Sequence, residues 1–145
     1  RLRDEGLPLP QVIAVFSPWT DQTGMLPSHT GNAALDDMVR GLFDEEQYRA
    51  EFGIKPTLED LKAPLVSPLY GDYAGLPPVF MSVSDSEMLY DDSVLLYEKL
   101  KKAGHMADLQ VKHNLCHAWP TFSFLPETRQ TLNEMQTFFR KERIL

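Results

Sequence analysis

Three short segments, at 11–17, 78–84 and 108–113, have the length of β-strands. The first is continuously apolar rather than alternating, which is typical of a strand covered on both faces in a parallel sheet. Apolar residues at helical spacing predict helices at about 90–103 and 126–142. The order strand, long excursion, strand, helix, strand, helix therefore predicts an α/β fold with about three mostly parallel strands and flanking helices.

Local signals define the ends of the two predicted helices. Gly104 is expected to end the first helix, and Pro126 lies in the first turn of the second, where its missing N–H costs nothing. Asp91 and Asp92 are expected to cap the start of the first helix. The apolar stripe of the second helix comprises Leu132, Met135, Phe138 and Phe139.

The excursion between the first two strands is rich in loop-forming residues up to about position 34. Helical spacing over 35–52 predicts one or two short helices there. Thr57 and Asp60 have capping-box spacing, which predicts a helical turn. We expect residues 25–62 to form part of a lid or pocket wall, or else a surface excursion.

Composition narrows the class of partner. A formal charge of −7, spread along the chain, argues against nucleic acid or an anionic membrane surface. No apolar run approaches the roughly 20 residues of a membrane span. The single Cys116 cannot form an internal disulfide, which indicates a reducing compartment and predicts a cytoplasmic location. We expect no cofactor.

Two residues with acid–base chemistry follow the last two predicted strands. Glu87 comes just after the second strand and His117 just after the third. Because the carboxyl ends of parallel strands meet at one edge of a sheet, we expect these side chains to lie within hydrogen-bonding reach. A carboxylate there could orient an imidazole that takes a proton from a serine. Asp85, two residues earlier, is an alternative acid.

Other candidate site residues have weaker support. No G-x-S-x-G and no His-Gly-Gly run occurs, so the chain offers no recognisable nucleophile. Trp19, Trp119 and Phe122 could line an acyl pocket, although core packing is the simpler explanation for any one of them. The histidines do not form a convincing metal set, because no cysteine or carboxylate completes it.

Four ordered blocks give the chain a resemblance to the hormone-sensitive-lipase-like family of bacterial esterases, within the α/β-hydrolases. The blocks are Ser17-Pro-Trp-Thr-Asp21, Pro64-Leu-Val-Ser-Pro-Leu-Tyr70 with Gly75-Leu-Pro-Pro78, Glu87-Met-Leu-Tyr-Asp-Asp92, and Leu115-Cys-His117-Ala-Trp119. The resemblance spans essentially the whole chain. It implies that Glu87 is the catalytic acid and His117 the base.

The resemblance also implies how the chain relates to a whole enzyme. Residues 1–145 would be the carboxyl-terminal part of one α/β-hydrolase domain, with the amino-terminal half of the sheet missing. The opening residues read as the end of a helix, which agrees with that expectation. The nucleophile and oxyanion hole would lie in the missing amino-terminal half. Family members often form homodimers through the last strand and helix, so we expect a homodimer.

The leading functional hypothesis is a serine carboxylesterase or lipase that acts on short to medium acyl esters, a small-molecule substrate. One alternative is a catalytically inactive ligand-binding module or receptor on the same scaffold, for which the absent nucleophile is the argument. Another is a peptidase of the prolyl-oligopeptidase type. The block at 17–21 disfavours that alternative. Alone, the chain is expected to be inactive.

Overall fold

A computed structural model describes residues 2–43 and 56–142, which contain one parallel three-stranded sheet. The strands are β1 (Ile13–Phe16), β2 (Val79–Ser84) and β3 (Ala107–Lys112), in the spatial order β1-β2-β3. Ile13 lies opposite Val79, which in turn lies opposite Ala107. The three strands, their parallel direction and their places in the sequence are as predicted.

Strand β2 is the centre of the sheet, and all six of its residues are buried. Its alternating side chains face opposite ways, as in any strand. Met81 packs against Leu96 and Leu100 of helix α3 (Tyr90–Lys102). On the other face, the ring of Phe80 lies 6.1 Å from that of Phe138 in helix α4 (Pro126–Lys141). Helices therefore cover both faces of this strand, which explains its apolar sequence.

The predicted ends of the long helices are confirmed. Gly104 adopts φ +78°, a conformation that disfavours side chains with a Cβ, directly after α3. Its N–H donates to the carbonyl of Lys101, and the N–H of His105 donates to that of Leu100. These two bonds form a Schellman motif, which satisfies the last carbonyls of the helix. Helix α4 begins at Pro126.

The buried face of α4 differs from the predicted apolar stripe. Leu132 is 38% exposed, whereas Thr128 and Thr131 are buried together with Phe138. The Thr128 hydroxyl lies 2.8 Å from the carbonyl oxygens of both Trp119 and Phe122, so this buried polar group has hydrogen-bond partners. The stripe prediction was wrong for Leu132, because α4 turns Thr128, Thr131 and Phe138 toward the core; hydrogen bonds satisfy the buried hydroxyl of Thr128.

The described part of the excursion contains helices α1 (Pro27–Gly31) and α2 (Leu58–Lys62). The capping box between Thr57 and Asp60 opens α2, as predicted. Residues 35–43 form turns rather than the expected helix, and positions 44–52 of that prediction lie outside the described residues. The Asp36 side chain in these turns bonds to a distant loop, so tertiary contacts override local helix propensity.

None of the helices in the described ranges is long and apolar enough to cross a membrane.

Candidate active site

The loops that follow β2 and β3 leave the sheet at the same edge, because the strands are parallel. We call residues 85–89 the Glu87 loop and residues 113–118 the His117 loop. Within them, Glu87 Oε2 lies 3.0 Å from His117 Nδ1, so the predicted proximity is present. The contact lies within ion-pair distance but lacks the geometry of a hydrogen bond, and it is an ion pair when the imidazole is protonated.

The two side chains differ in their access to solvent. The Glu87 side chain is 1% exposed, while that of His117 is 21% exposed. Glu87 Oε1 accepts a hydrogen bond of 2.7 Å from the N–H of Ser84, at the end of β2. A buried carboxylate held by a backbone donor has a fixed orientation, which leaves its second oxygen directed at the imidazole.

The surroundings of His117 favour its protonated form. Contact with the Glu87 carboxylate raises the pKa of the imidazole, partial burial lowers it, and the charges of Glu87 and Asp36 raise it further. The balance is a pKa above the ordinary value for histidine. An imidazolium formed here is stabilised, and the ring can act as a base at pH values above its raised pKa.

Asp85, the alternative acid, has a different partner. Its Oδ2 lies 2.7 Å from Nδ1 of His113, and its Oδ1 accepts a hydrogen bond from the N–H of Asn114. The bond to His113 is the main cause that lowers the pKa of Asp85. The His113 side chain is 89% exposed, so this pair belongs to the protein surface. The geometry therefore favours Glu87 as the partner of His117.

Serines at the strand ends fix the His117 loop on both sides of the histidine. The Ser84 hydroxyl oxygen accepts a hydrogen bond from the N–H of Leu115, and that of Ser17 accepts one from the N–H of Ala118. Ser17 and Ala118 both have positive φ, +48° and +50°. Sequence reasoning missed these contacts, and the only available signal was the position of each serine at the end of a strand.

Comparisons with known proteins agree with this arrangement of strands and loops. Residues 1–121 match a family model described as alpha/beta hydrolase fold. The chain belongs to the alpha/beta hydrolase fold family. The family predicted from the four sequence blocks is thereby confirmed.

Its relatives in this family include named enzymes. An acetyl-hydrolase of Streptomyces hygroscopicus is 34% identical over 96% of the chain, and an esterase of Acinetobacter venetianus is 30% identical over 95%. An esterase of the bacterial hormone-sensitive lipase family has a solved structure with a TM-score of 0.81, at 36% identity over 99% of the chain. The chain spans 46%, 45% and 47% of these three proteins, respectively.

In this hydrolase-fold chain, part of the long connection between β1 and β2 forms hydrogen bonds to the Glu87 loop. We call residues 28–36 the clamp segment. Ser28 donates its hydroxyl to the Met88 carbonyl, and the Asn32 amide donates to the carbonyls of Asp85 and Glu87. Asp36 Oδ2 accepts a hydrogen bond from the N–H of Met88. Sequence reasoning missed the clamp segment, because polar residues in a long loop gave no sign of their distant partners.

Asp91 and Asp92 do not cap helix α3, contrary to the sequence prediction. Leu89 is at the N-cap position, and no side chain caps it. Asp92 is buried, and its Oδ1 accepts hydrogen bonds of 2.7 Å from the N–H groups of both Thr20 and Asp21. Its carboxylate therefore bonds across the fold to the segment after β1 rather than to its own helix end.

Asp92 also contacts His29 of helix α1. Asp92 Oδ2 lies 2.6 Å from His29 Nε2, and neither side chain has exposed surface.

We expect Asp92→Ala to lower the free energy of unfolding by about 3–5 kcal/mol, since it leaves buried donors without their acceptor. Urea unfolding of the intact protein measures this loss. Asp91→Ala, which removes a partly buried carboxylate bonded to the Ser28 N–H, is the control; an equal loss from both variants would contradict the prediction.

The aromatic residues proposed for an acyl pocket fall into two groups. Trp119 has no exposed surface, which favours core packing over a pocket-lining role for this residue. Trp19 is half-buried and donates its indole N–H to the Asp21 carbonyl. Phe122 is also half-buried, with its ring 5.9 Å from that of Phe124, which is 79% exposed. Trp19 and Phe122 remain candidates for substrate contact.

One group of possible metal ligands was found in the parts of the chain that the structure describes. Donor atoms of Asp36, Glu87 and His117 lie within 4.8 Å of one another. His117 Nδ1 already faces Glu87, and each carboxylate has a backbone N–H partner, Ser84 for Glu87 and Met88 for Asp36. We therefore interpret the group as two carboxylates beside an imidazole.

Proposed function

We propose that the protein is a serine-type carboxylic ester hydrolase that acts on short to medium acyl esters, with Glu87 as the acid of its triad and His117 as the base. The observation that carries the proposal is the 3.0 Å contact between Glu87 Oε2 and His117 Nδ1. Relatives named esterase and acetyl-hydrolase support ester substrates.

The proposed chemistry is acyl transfer in two steps. His117 takes the proton of a serine hydroxyl as the serine oxygen bonds to the ester carbonyl carbon. It then gives that proton to the departing alcohol as the carbon–oxygen bond breaks, which leaves an acyl-serine. Water repeats the sequence, with the proton passing to the serine oxygen when the carboxylic acid leaves. In both steps Glu87 orients the ring through Nδ1 and stabilises the imidazolium.

The nucleophilic serine is proposed to lie in a part of the protein outside this chain. Ser17, which follows β1 with positive φ, is the closest local parallel to a nucleophile elbow in the described residues. Its hydroxyl oxygen, however, is buried and accepts the N–H of Ala118, and no glycine flanks it. Its local role is to hold the His117 loop.

Hydrolysis and covalent labelling test the proposal. We expect the intact protein to hydrolyse p-nitrophenyl acetate and to react with a fluorophosphonate probe, and the 145-residue chain alone to do neither above background. Mass spectrometry of the labelled protein should find the probe on a serine outside this chain. A probe attached to Ser17 or to another serine of the chain would contradict the assignment.

The same assay separates the alternative functions. A folded intact protein that binds esters without turnover or labelling would be a ligand-binding module. Faster cleavage of a prolyl peptide than of an ester would indicate a peptidase.

Association through the last strand and helix is proposed on two observations. Strand β3 lies at one edge of the described sheet, and Leu132 on α4 is exposed. A homodimer would cover both, since unpaired strand edges favour pairing with another chain. The cytoplasmic location stays a prediction from the cysteine content.

A further inference from the structure

His117 has a second carboxylate beside it, in addition to Glu87. Asp36 is 5% exposed and comes from the clamp segment, far from both strand-end loops in sequence. A carboxylate oxygen of Asp36 lies within 4.8 Å of the donor atoms of both Glu87 and His117. Its Oδ2 accepts a hydrogen bond of 3.0 Å from the N–H of Met88, the residue after Glu87.

We propose that Asp36 is a positioning residue of the hydrolase site, which acts through His117 by adding a second negative charge beside the imidazole and by fixing the Glu87 loop. The predicted effect of Asp36 on catalysis rests on the proposed function. The predicted effect of Asp36 on the pKa of His117 does not, because it can be measured without substrate.

Burial of two carboxylates side by side needs compensation. Each has one backbone donor, from Ser84 for Glu87 and from Met88 for Asp36. These donors offset part of the cost of removing the charges from water. The remaining repulsion between the carboxylates is relieved when the imidazole beside them becomes positive. The arrangement therefore stabilises the imidazolium more than the neutral ring, and the imidazolium is the form that appears during acyl transfer.

The charged groups around His117 indicate how Asp36 affects its pKa. Among the described residues, the charges that act on its pKa are those of Glu87, from the loop after β2, and Asp36, from the clamp segment. Asp85 and His113, on neighbouring loop positions, pair with each other. Cys116, beside the histidine, is exposed. Removal of the Asp36 charge should therefore lower the pKa of His117.

Asp36→Asn tests the charge with little change of shape, because the amide oxygen can still accept the Met88 N–H. We expect nuclear magnetic resonance of the intact protein to show a lower pKa of His117. The acid limb of kcat/KM should shift to lower pH by a similar amount. At optimal pH, kcat should fall by no more than about tenfold for each pKa unit lost, because the proton is only partly transferred to the imidazole in the transition state.

Asp37→Asn is the matched control, since it makes the same change one position away. Asp37 is 83% exposed and pairs with Arg40, so we expect the pKa of His117 and the pH profile to be unchanged. Asp36→Glu retains the charge, and its acid limb should stay close to that of the parent protein. If Asp36→Asn folds poorly, Asp36→Ser provides a smaller uncharged replacement for the same titration.

The outcomes are distinguishable. A lower pKa of His117 together with a shifted acid limb supports the proposal. If the pKa of His117 is lower but the intact parent protein shows no ester turnover, the proposed function is wrong and the electrostatic coupling of Asp36 to His117 is still supported. An unchanged pKa of His117 in a folded uncharged variant overturns the proposal.

Discussion

If the proposed function holds, His117→Ala is expected to lower kcat for p-nitrophenyl acetate by about 10⁵- to 10⁶-fold in the intact protein, as loss of the base does in serine proteases. The reason is that no other group in the described site can take the serine proton. Glu87 is buried and bonded to the Ser84 N–H, and Asp36 is bonded to that of Met88. Steady-state kinetics and fluorophosphonate labelling rates measure the loss.

The fold should tolerate this change, because the His117 side chain lies in a loop and keeps 21% of its surface exposed. His113→Ala is the matched control. It removes a histidine from the same loop, but one that is 89% exposed and paired with Asp85. We expect its turnover within about threefold of the parent protein, because exposed surface pairs contribute little. Near-normal turnover by His117→Ala would remove His117 from the mechanism.

Glu87→Gln is expected to lower kcat by about 10³- to 10⁴-fold, less than loss of the base. The amide can still accept the Ser84 N–H, but it no longer supplies the charge that stabilises the imidazolium. Because Glu87 is the main cause of the raised pKa of His117, that pKa should fall in the variant. The acid limb of kcat/KM should consequently move to lower pH, as the ring loses its proton more readily.

Asp85→Asn is the control that separates the two candidate acids. Asp85 pairs with the exposed His113, so its loss should change turnover by less than about threefold. A larger loss from Asp85→Asn than from Glu87→Gln would transfer the role of acid to Asp85. Equal and small losses from both variants would contradict a charge-stabilised imidazolium.

Local patterns in the sequence were sufficient to predict much of the fold. The three predicted segments became the three strands, and the apolar sequence of β2 reflects its complete burial in the middle of the sheet. Gly104 and Pro126 marked the helix ends because their backbone chemistry restricts which positions suit them. The proximity of Glu87 and His117 also followed from sequence, since parallel strands bring their carboxyl ends to one edge.

The partners of polar side chains were decided by tertiary structure. Asp92 was expected at a helix cap and instead bonds to Thr20, Asp21 and His29. Its sequence position shows only that a local bond is available, not that distant donors are brought to it by the fold. Thr131 was buried in place of Leu132 for a related reason: neighbouring elements, rather than apolar spacing alone, fix which side of α4 faces the core.

The choice between Glu87 and Asp85 shows the same division most clearly. By itself, the sequence determined that an acid follows β2 and a histidine follows β3. Only the folded chain decided that Asp85 faces His113 at the surface, while Glu87 turns inward to His117. Asp36 lies near the same imidazole although it is some fifty residues before Glu87 in the chain. Its hydrogen bond from the N–H of Met88 holds it there. Side-chain direction and contacts between distant segments depend on packing of the whole chain, so the local spacing of residues in the sequence does not predict them.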